Sequence, residues 1–102
     1  MKEDQLALGI LEFKLLVIIQ KKKTPTGTVI AATYKKKMKQ EVPKGSLYTS
    51  LRRLTEDGFV SNTVPTSNSK DGRIRIFALT EAGEKVVKQT RSLFASLARF
   101  KV

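Results

Sequence analysis

The sequence predicts a mainly α-helical fold with one small β-hairpin, arranged as a winged helix-turn-helix that continues into a long last helix. Two observations predict it. Apolar residues recur with a helical period in four segments, and between the third and fourth segments the period shortens to that of a strand. The 102 residues suffice for one modest core. We therefore expect one compact unit, with residues 1–80 as the winged helix and 81–102 as a dimerisation helix.

The first two helices are predicted at residues 6–19, with Asp4 as the N-cap, and at residues 28–39. Apolar side chains cover nearly every face of the first helix toward its end, whereas a surface helix has one apolar stripe. We therefore expect its own domain and a second subunit to cover it. A break at residues 24–27 separates it from the second helix. The inward face of the second helix is predicted to hold Val29, Ile30, Ala32, Thr33 and Met38.

The third helix is predicted at residues 44–57, after a proline that suits a helix start and before Gly58, which suits a helix end. Leu47, Leu51 and Leu54 recur at intervals of four and three and form its apolar side. The opposite side is small, polar and basic. It carries Gly45, Thr49, Arg52 and Arg53, with Ser46 at its edge.

Two strands are predicted at residues 59–64 and 73–79, separated by a polar loop that ends in Asp71-Gly72, a hairpin signal. Thr80 is expected to cap a last helix over residues 81–100. Apolar residues of this helix alternate by four and three, as in a coiled coil. A single winged-helix core offers too little surface to bury that seam, so we expect a homodimer.

The charge of the chain is concentrated in its first half. The formal net charge is +11, and residues 14–53 hold eleven basic residues against Glu41 as the only acid, which leaves +10 in that segment. Such a surplus points to a polyanion, either nucleic acid or an acidic membrane surface. The segment is broken by two turns and is not one amphipathic helix, which favours nucleic acid. The predicted hairpin adds Lys70, Arg73 and Arg75.

Several classes of protein are excluded by composition. The sequence has no cysteine and no histidine, which removes disulfides, Cys/His zinc sites, thiolate nucleophiles and Ser-His-Asp arrangements. Its nine acids are scattered, so we expect no enzyme, no metal and no cofactor. No apolar run is long enough to span a bilayer, and the first residues carry two acids where a signal peptide is basic. We expect a cytoplasmic, nucleoid-associated protein.

Two stretches unite these features: residues 43–60 read PKGSLYTSLRRLTEDGFV, and residues 72–83 read GRIRIFALTEAG. The first resembles the recognition-helix segment of the PadR family of bacterial winged-helix transcriptional regulators, and the second resembles the wing strand that leads into the family's C-terminal helix. The resemblance implies a homodimeric repressor in which the C-terminal helix packs on the partner's first helix. Some members sense small aromatic or cationic molecules at the dimer interface, so an effector there is a further expectation. The expected interface comprises Leu8, Leu11, Leu15, Val86, Thr90, Leu93, Phe94, Leu97 and Phe100.

The leading hypothesis is a sequence-specific regulator of transcription that binds double-stranded DNA. Its third helix would enter the major groove of a pseudo-palindromic operator, and its wing would contact the flanking backbone or the minor groove. Tyr48 is either a core-edge aromatic or a phosphate donor, and Arg75 either binds DNA or pairs with an acid of the scaffold. The expected DNA-binding residues are Lys35, Lys36, Lys39, Lys44, Gly45, Ser46, Tyr48, Thr49, Arg52, Arg53, Lys70, Arg73 and Arg75.

Two other functions compete with this hypothesis. A nonspecific nucleic-acid-binding or architectural protein would use the same basic segment, and the sequence alone does not separate it from a regulator. A winged helix that binds another protein is the third hypothesis. It would favour apolar or acidic residues where Arg52 and Arg53 stand.

Overall fold

The structure is a computed structural model that describes residues 8–64 and 74–101, and of Lys44 only the backbone. Within these residues two strands pair antiparallel, with Val60 opposite Leu79 and Thr63 opposite Ile76. The predicted order of three helices, a hairpin and a last helix is confirmed. The elements are α1 (Ile10–Lys22), α2 (Gly27–Met38), α3 (Lys44–Glu56), β1 (Val60–Thr63), β2 (Ile76–Leu79) and α4 (Glu81–Arg99).

The first helix begins and ends later than predicted. Gly9 is its N-cap and lies in extended backbone, and the described residue before it is not helical either, so the predicted start at residue 6 is wrong. Glycine loses more backbone entropy in a helix than any other residue, which explains why α1 starts after it. At the other end Lys21 and Lys22 extend the helix, where cations interact favourably with its dipole. The predicted cap Asp4 lies outside the described residues.

Helix α1 is the centre of the core. It contacts α2, α3, α4 and β2, and Leu15, Leu16 and Ile19 on it are fully buried. The predicted apolar side of α3 is confirmed, since all three leucines are buried. Each such side chain stabilises the fold by roughly 1.5–3 kcal/mol relative to exposure. The buried apolar residues are Leu15, Leu16, Ile18, Ile19, Ile30, Leu47, Leu51, Leu54, Val60, Phe77, Val86 and Val87.

The inward face of α2 is thinner than predicted. Among the five residues assigned to it, Ile30 alone is buried, Val29 and Met38 are 40% and 38% exposed, and Ala32 is also exposed. The prediction is wrong for these three. Because α2 packs mainly on α1, apolar side chains on its other sides stay on the surface, and two of them, Ala32 and Met38, line a groove described below.

The hairpin is tied to the turn between α1 and α2. The backbone N–H of Phe77 donates to the carbonyl oxygen of Pro25 at 3.0 Å, and Thr26 forms a β-bridge with Ile76. Both strands are shorter than predicted, and Arg75 precedes β2 instead of lying inside it. Residues 65–73, with Lys70 and Arg73, lie outside the described part of the chain.

Helix α4 starts at the predicted cap, and its buried residues all lie in its first half. The Thr80 hydroxyl accepts from the N–H of Gly83 at 3.0 Å and donates to the carbonyl oxygen of Gly58 at 2.6 Å. Gly58 has a φ of 81°, the left-handed conformation that suits glycine. The first half of α4 buries Val86 and Val87, while its second half is exposed except for Phe94.

Candidate nucleic-acid interface

The outer side of α3 is an exposed polar surface. Because the leucines point inward, the residues on the opposite side of the helix are solvated, as the pattern predicts. Three of them are small, so another molecule can approach this helix closely. The exposed residues are Gly45, Ser46, Thr49, Arg52 and Arg53.

Tyr48 lies at one edge of this surface, against the start of α2. A Cβ atom placed on Gly27 would lie 3.3 Å from the Tyr48 hydroxyl oxygen, so the absence of a side chain at Gly27 gives the ring its place. The tyrosine nevertheless stays 52% exposed. Its ring and hydroxyl group therefore lie beside the N-terminus of α2, a position that fits either predicted role. A contact between that hydroxyl and phosphate stays a prediction.

A groove of about 1040 Å³ separates α3 from the hairpin, and we call it the wing groove. Leu51 and Phe77, both buried, form its floor, while Arg52 of α3 and Arg75 of the hairpin are exposed and line it. The structure therefore brings together two predicted site residues that the sequence places far apart. The other lining residues are Thr26, Gly27, Thr28, Tyr48, Thr55, Glu56, Asn62 and Ile74.

The predicted lysines of α2 do not act as one surface. The ammonium nitrogen of Lys35 lies 3.2 Å from a carboxylate oxygen of Glu41, in an ion pair whose two side chains are both well exposed. Such pairs contribute little to stability. Lys36 points to a second groove, and Lys39 ends the helix with a φ of 56°. All three are exposed, as nucleic-acid contacts need to be.

The second groove, here the α1–α2 groove, has a volume of about 640 Å³. Its apolar lining includes Val17, Ile18 and Met38, and the ammonium nitrogen of Lys14 lies 5.6 Å from the ring centre of Tyr34. Lys14, Lys21 and Lys22 are not among the residues predicted from the sequence to bind DNA, so the sequence did not predict this convergence. The spacing of seven between Lys14 and Lys21, two helical turns, is the signal that could have found it. The cationic lining residues are Lys14, Lys21, Lys22, Lys36, Lys37 and Arg91.

The residues expected at the dimer interface fall into three groups by burial. Leu15, Val86 and Thr90 are buried inside the protomer. Leu8 and Leu11 are half-buried, and so is Phe94, whose ring meets that of Phe13 edge-to-face with centroids 5.1 Å apart. The remaining three are apolar and largely exposed: Leu93, Leu97 and Phe100.

Within residues 8–64 and 74–101, no three His, Cys, Asp or Glu side chains come together in a way that could hold a metal ion. In the same ranges no helix has the length and apolar character needed to cross a membrane.

Comparison with known proteins gives a family and a fold. The sequence model of the transcriptional regulator PadR-like family matches residues 15–89. No curated protein matches the chain significantly in sequence. A PadR-like transcription factor from Bacteroides fragilis superimposes with a TM-score of 0.78 at 23% identity, over 88% of this chain and 84% of that one. RosR from H. salinarum gives 0.75 at 22% identity, over 93% and 81%. A MarR variant from E. coli, complexed with operator DNA, gives 0.66 at 27% identity, over 88% and 58%.

Proposed function

Because this chain belongs to the transcriptional regulator PadR-like family, we propose that it binds a specific DNA operator as a homodimer and represses transcription. The observation that carries the proposal is the outer side of α3, where Thr49, Arg52 and Arg53 are exposed beside residues that are small. Arginine makes bidentate contacts to guanine and to phosphate, and small residues let a helix sit deep in the major groove. A protein-binding winged helix would favour apolar or acidic residues where Arg52 and Arg53 stand, so this surface disfavours a protein partner.

The E. coli MarR variant, which shares this fold, supports the proposed binding of DNA because it was crystallised with operator DNA. In the docking mode that we propose, α3 enters the major groove and the hairpin contacts the flanking backbone or the minor groove. A homodimer places two α3 helices about 34 Å apart, one turn of DNA, so the operator is pseudo-palindromic. In the cell, such a protein is bound to the nucleoid.

In the proposed homodimer, α4 makes the contact with the second subunit. Leu93 and Leu97 of α4 and the following Phe100 are between 45% and 72% exposed. Exposed apolar side chains that lie together usually mark an interaction surface. Packing them on α1 of a partner removes them from solvent. An effector that bound at this interface would change the spacing of the two α3 helices.

Selection of bound sites from random DNA, at one stated salt concentration and with the molar mass of the free protein measured alongside, tests the proposal. We expect a dimer and a pseudo-palindrome with half-sites one turn apart. The selected site then competes against random DNA at the same salt. A ratio of at least about 10³ supports a specific regulator, whereas a ratio near one favours the nonspecific architectural alternative. Lys88→Ala, a change of an exposed residue of α4 away from both α3 and the hairpin, is the control for the loss of one basic side chain and should leave both affinities unchanged.

Repression is tested separately from binding. A reporter gene whose promoter overlaps the selected operator loses expression when the protein is present. Increased expression would make the protein an activator and leave the DNA-binding part of the proposal standing.

A further inference from the structure

The wing groove lies between two parts of the protein that, under the proposed function, enter two different grooves of the DNA. In B-DNA a major groove and the adjacent minor groove are separated by a sugar-phosphate strand. When α3 lies in the first and the hairpin reaches toward the second, that strand has to pass between them. Among the described residues, the wing groove is the space that lies between α3 and the hairpin.

We infer that the wing groove binds this one DNA strand, and that Arg52 and Arg75 contact its phosphates from opposite sides. The inference rests on the proposed function and adds a division of roles within α3. Arg52 acts on the backbone and sets affinity and salt dependence. Its neighbour Arg53 lies outside the groove and contributes to sequence preference.

The lining of the groove separates the two neighbouring arginines. Consecutive residues of a helix point about 100° apart. Arg52 lines the wing groove together with Tyr48, four residues before it, and Glu56, four residues after it. Arg53 is exposed but is not among the lining residues, and it shares its side of the helix with Thr49, four residues earlier. The two guanidinium groups therefore meet different parts of the DNA.

The chemistry of the groove fits a sugar-phosphate strand. The exposed guanidinium groups of Arg52 and Arg75 bind phosphate oxygens bidentately, in a geometry that lysine does not reproduce. The floor of Leu51 and Phe77 is apolar and can pack on deoxyribose. Tyr48, which is half-exposed, adds a hydroxyl group to the lining.

Glu56 is the acid in this lining, and it provides an independent test. Its exposed carboxylate would face the phosphates and repel them. Glu56→Gln keeps the size and the helical preference of the side chain and removes the charge. We expect Glu56→Gln to bind every DNA sequence about threefold more tightly.

The decisive experiment measures Kd against salt, from roughly 50 to 200 mM, for the selected operator and for random DNA. Arg52→Ala and Arg75→Ala are each expected to weaken binding to both DNAs by about the same factor, near tenfold. Each also lowers the slope of log K against log salt by about 1, which is the loss of one phosphate contact. Arg52→Lys keeps the slope. Arg53→Ala removes the same charge from the next position and is expected to lower the ratio between operator and random DNA.

Two results would overturn the inference. One is an Arg52→Ala protein with an altered base preference and an unchanged salt slope. The other is an Arg53→Ala protein whose behaviour matches that of Arg52→Ala on both DNAs. A protein that prefers no DNA sequence would refute the specific regulator alone. In that case the salt slopes measured on random DNA still test whether Arg52 and Arg75 contact phosphate. Unchanged thermal midpoints for all variants exclude misfolding as the cause.

Discussion

The first half of α4, residues 81–90, and its second half, residues 91–99 with the following Phe100, carry the same apolar pattern but lie in different surroundings. In the first half Val86, Val87 and Thr90 are buried against the winged helix. In the second half Leu93 and Leu97 continue the seam and are 45% and 61% exposed. A periodic apolar seam therefore predicts that a helix face will be covered, and leaves open which chain covers it.

This difference also separates two kinds of mutational effect. A change in the first half alters the stability of one protomer, because its neighbours belong to the same chain. A change in the second half is expected to alter association of two chains. The predictions below follow that division, from the largest expected effect to the smallest.

The double variant Leu97→Asp with Phe100→Asp is expected to be monomeric and to lose at least about 100-fold in operator affinity. The reason is that each α3 alone then binds one half-site, without the high effective concentration that a linked partner gives. Sedimentation and operator titration at one salt concentration measure the two effects.

Ala95→Asp is the control for this double variant, because Ala95 is exposed on the same half of α4 and lies on the side opposite Leu97. It should remain dimeric with unchanged affinity. A double variant that stays dimeric would show that the exposed seam is not the interface, and the two halves of α4 would then differ only in solvent exposure.

Gly83→Ala is expected to destabilise the protein by about 3 kcal/mol, the upper end of the usual cost of overpacking. A Cβ atom on Gly83 would collide with the backbone carbonyl oxygen of Phe59, which cannot rotate away as a side chain can. Denaturant unfolding measures the loss of free energy.

Gly45→Ala is its matched control, because a Cβ there meets nothing within 4 Å and alanine favours a helix. This variant should be as stable as the native protein or slightly more stable. Equal stability of both alanine variants would mean that the first half of α4 does not dock rigidly on the residues before β1.

The sequence predicts the order of the elements and the apolar side of α3, because both depend on local periodicity. It predicts the start of α1 wrongly, since the apolar pattern continues past Gly9 while the backbone cost of that glycine decides the boundary. It also assigns Val29 and Met38 to the core, because periodicity gives the apolar side of a helix and not the amount of neighbouring surface that can cover it.

The candidate site is predictable in its parts and not in its assembly. The exposed residues of α3 follow from the position of the leucines, and a polar residue at position 75 is expected to be near the surface. That Arg52 and Arg75 line one groove depends on the pairing of β2 with the residues before α2, which is a tertiary contact. The meeting of Lys14, Lys21 and Lys36 in the α1–α2 groove depends on the packing of two helices in the same way.

The smallest effect belongs to the cap at which α4 begins. Thr80→Ala removes the acceptor for the N–H of Gly83 and the donor to the carbonyl oxygen of Gly58, so it should cost about 1 kcal/mol, within the usual range for a lost N-cap. Thr80→Ser keeps both hydrogen bonds and should recover most of that loss. Both proteins should retain the dimer and the operator affinity, because the cap fixes the first half of α4 while the proposed interface uses the second. A Thr80→Ala protein that folds as stably as the native chain but dissociates would instead couple the cap to the interface, and the division between the two halves of α4 would be wrong.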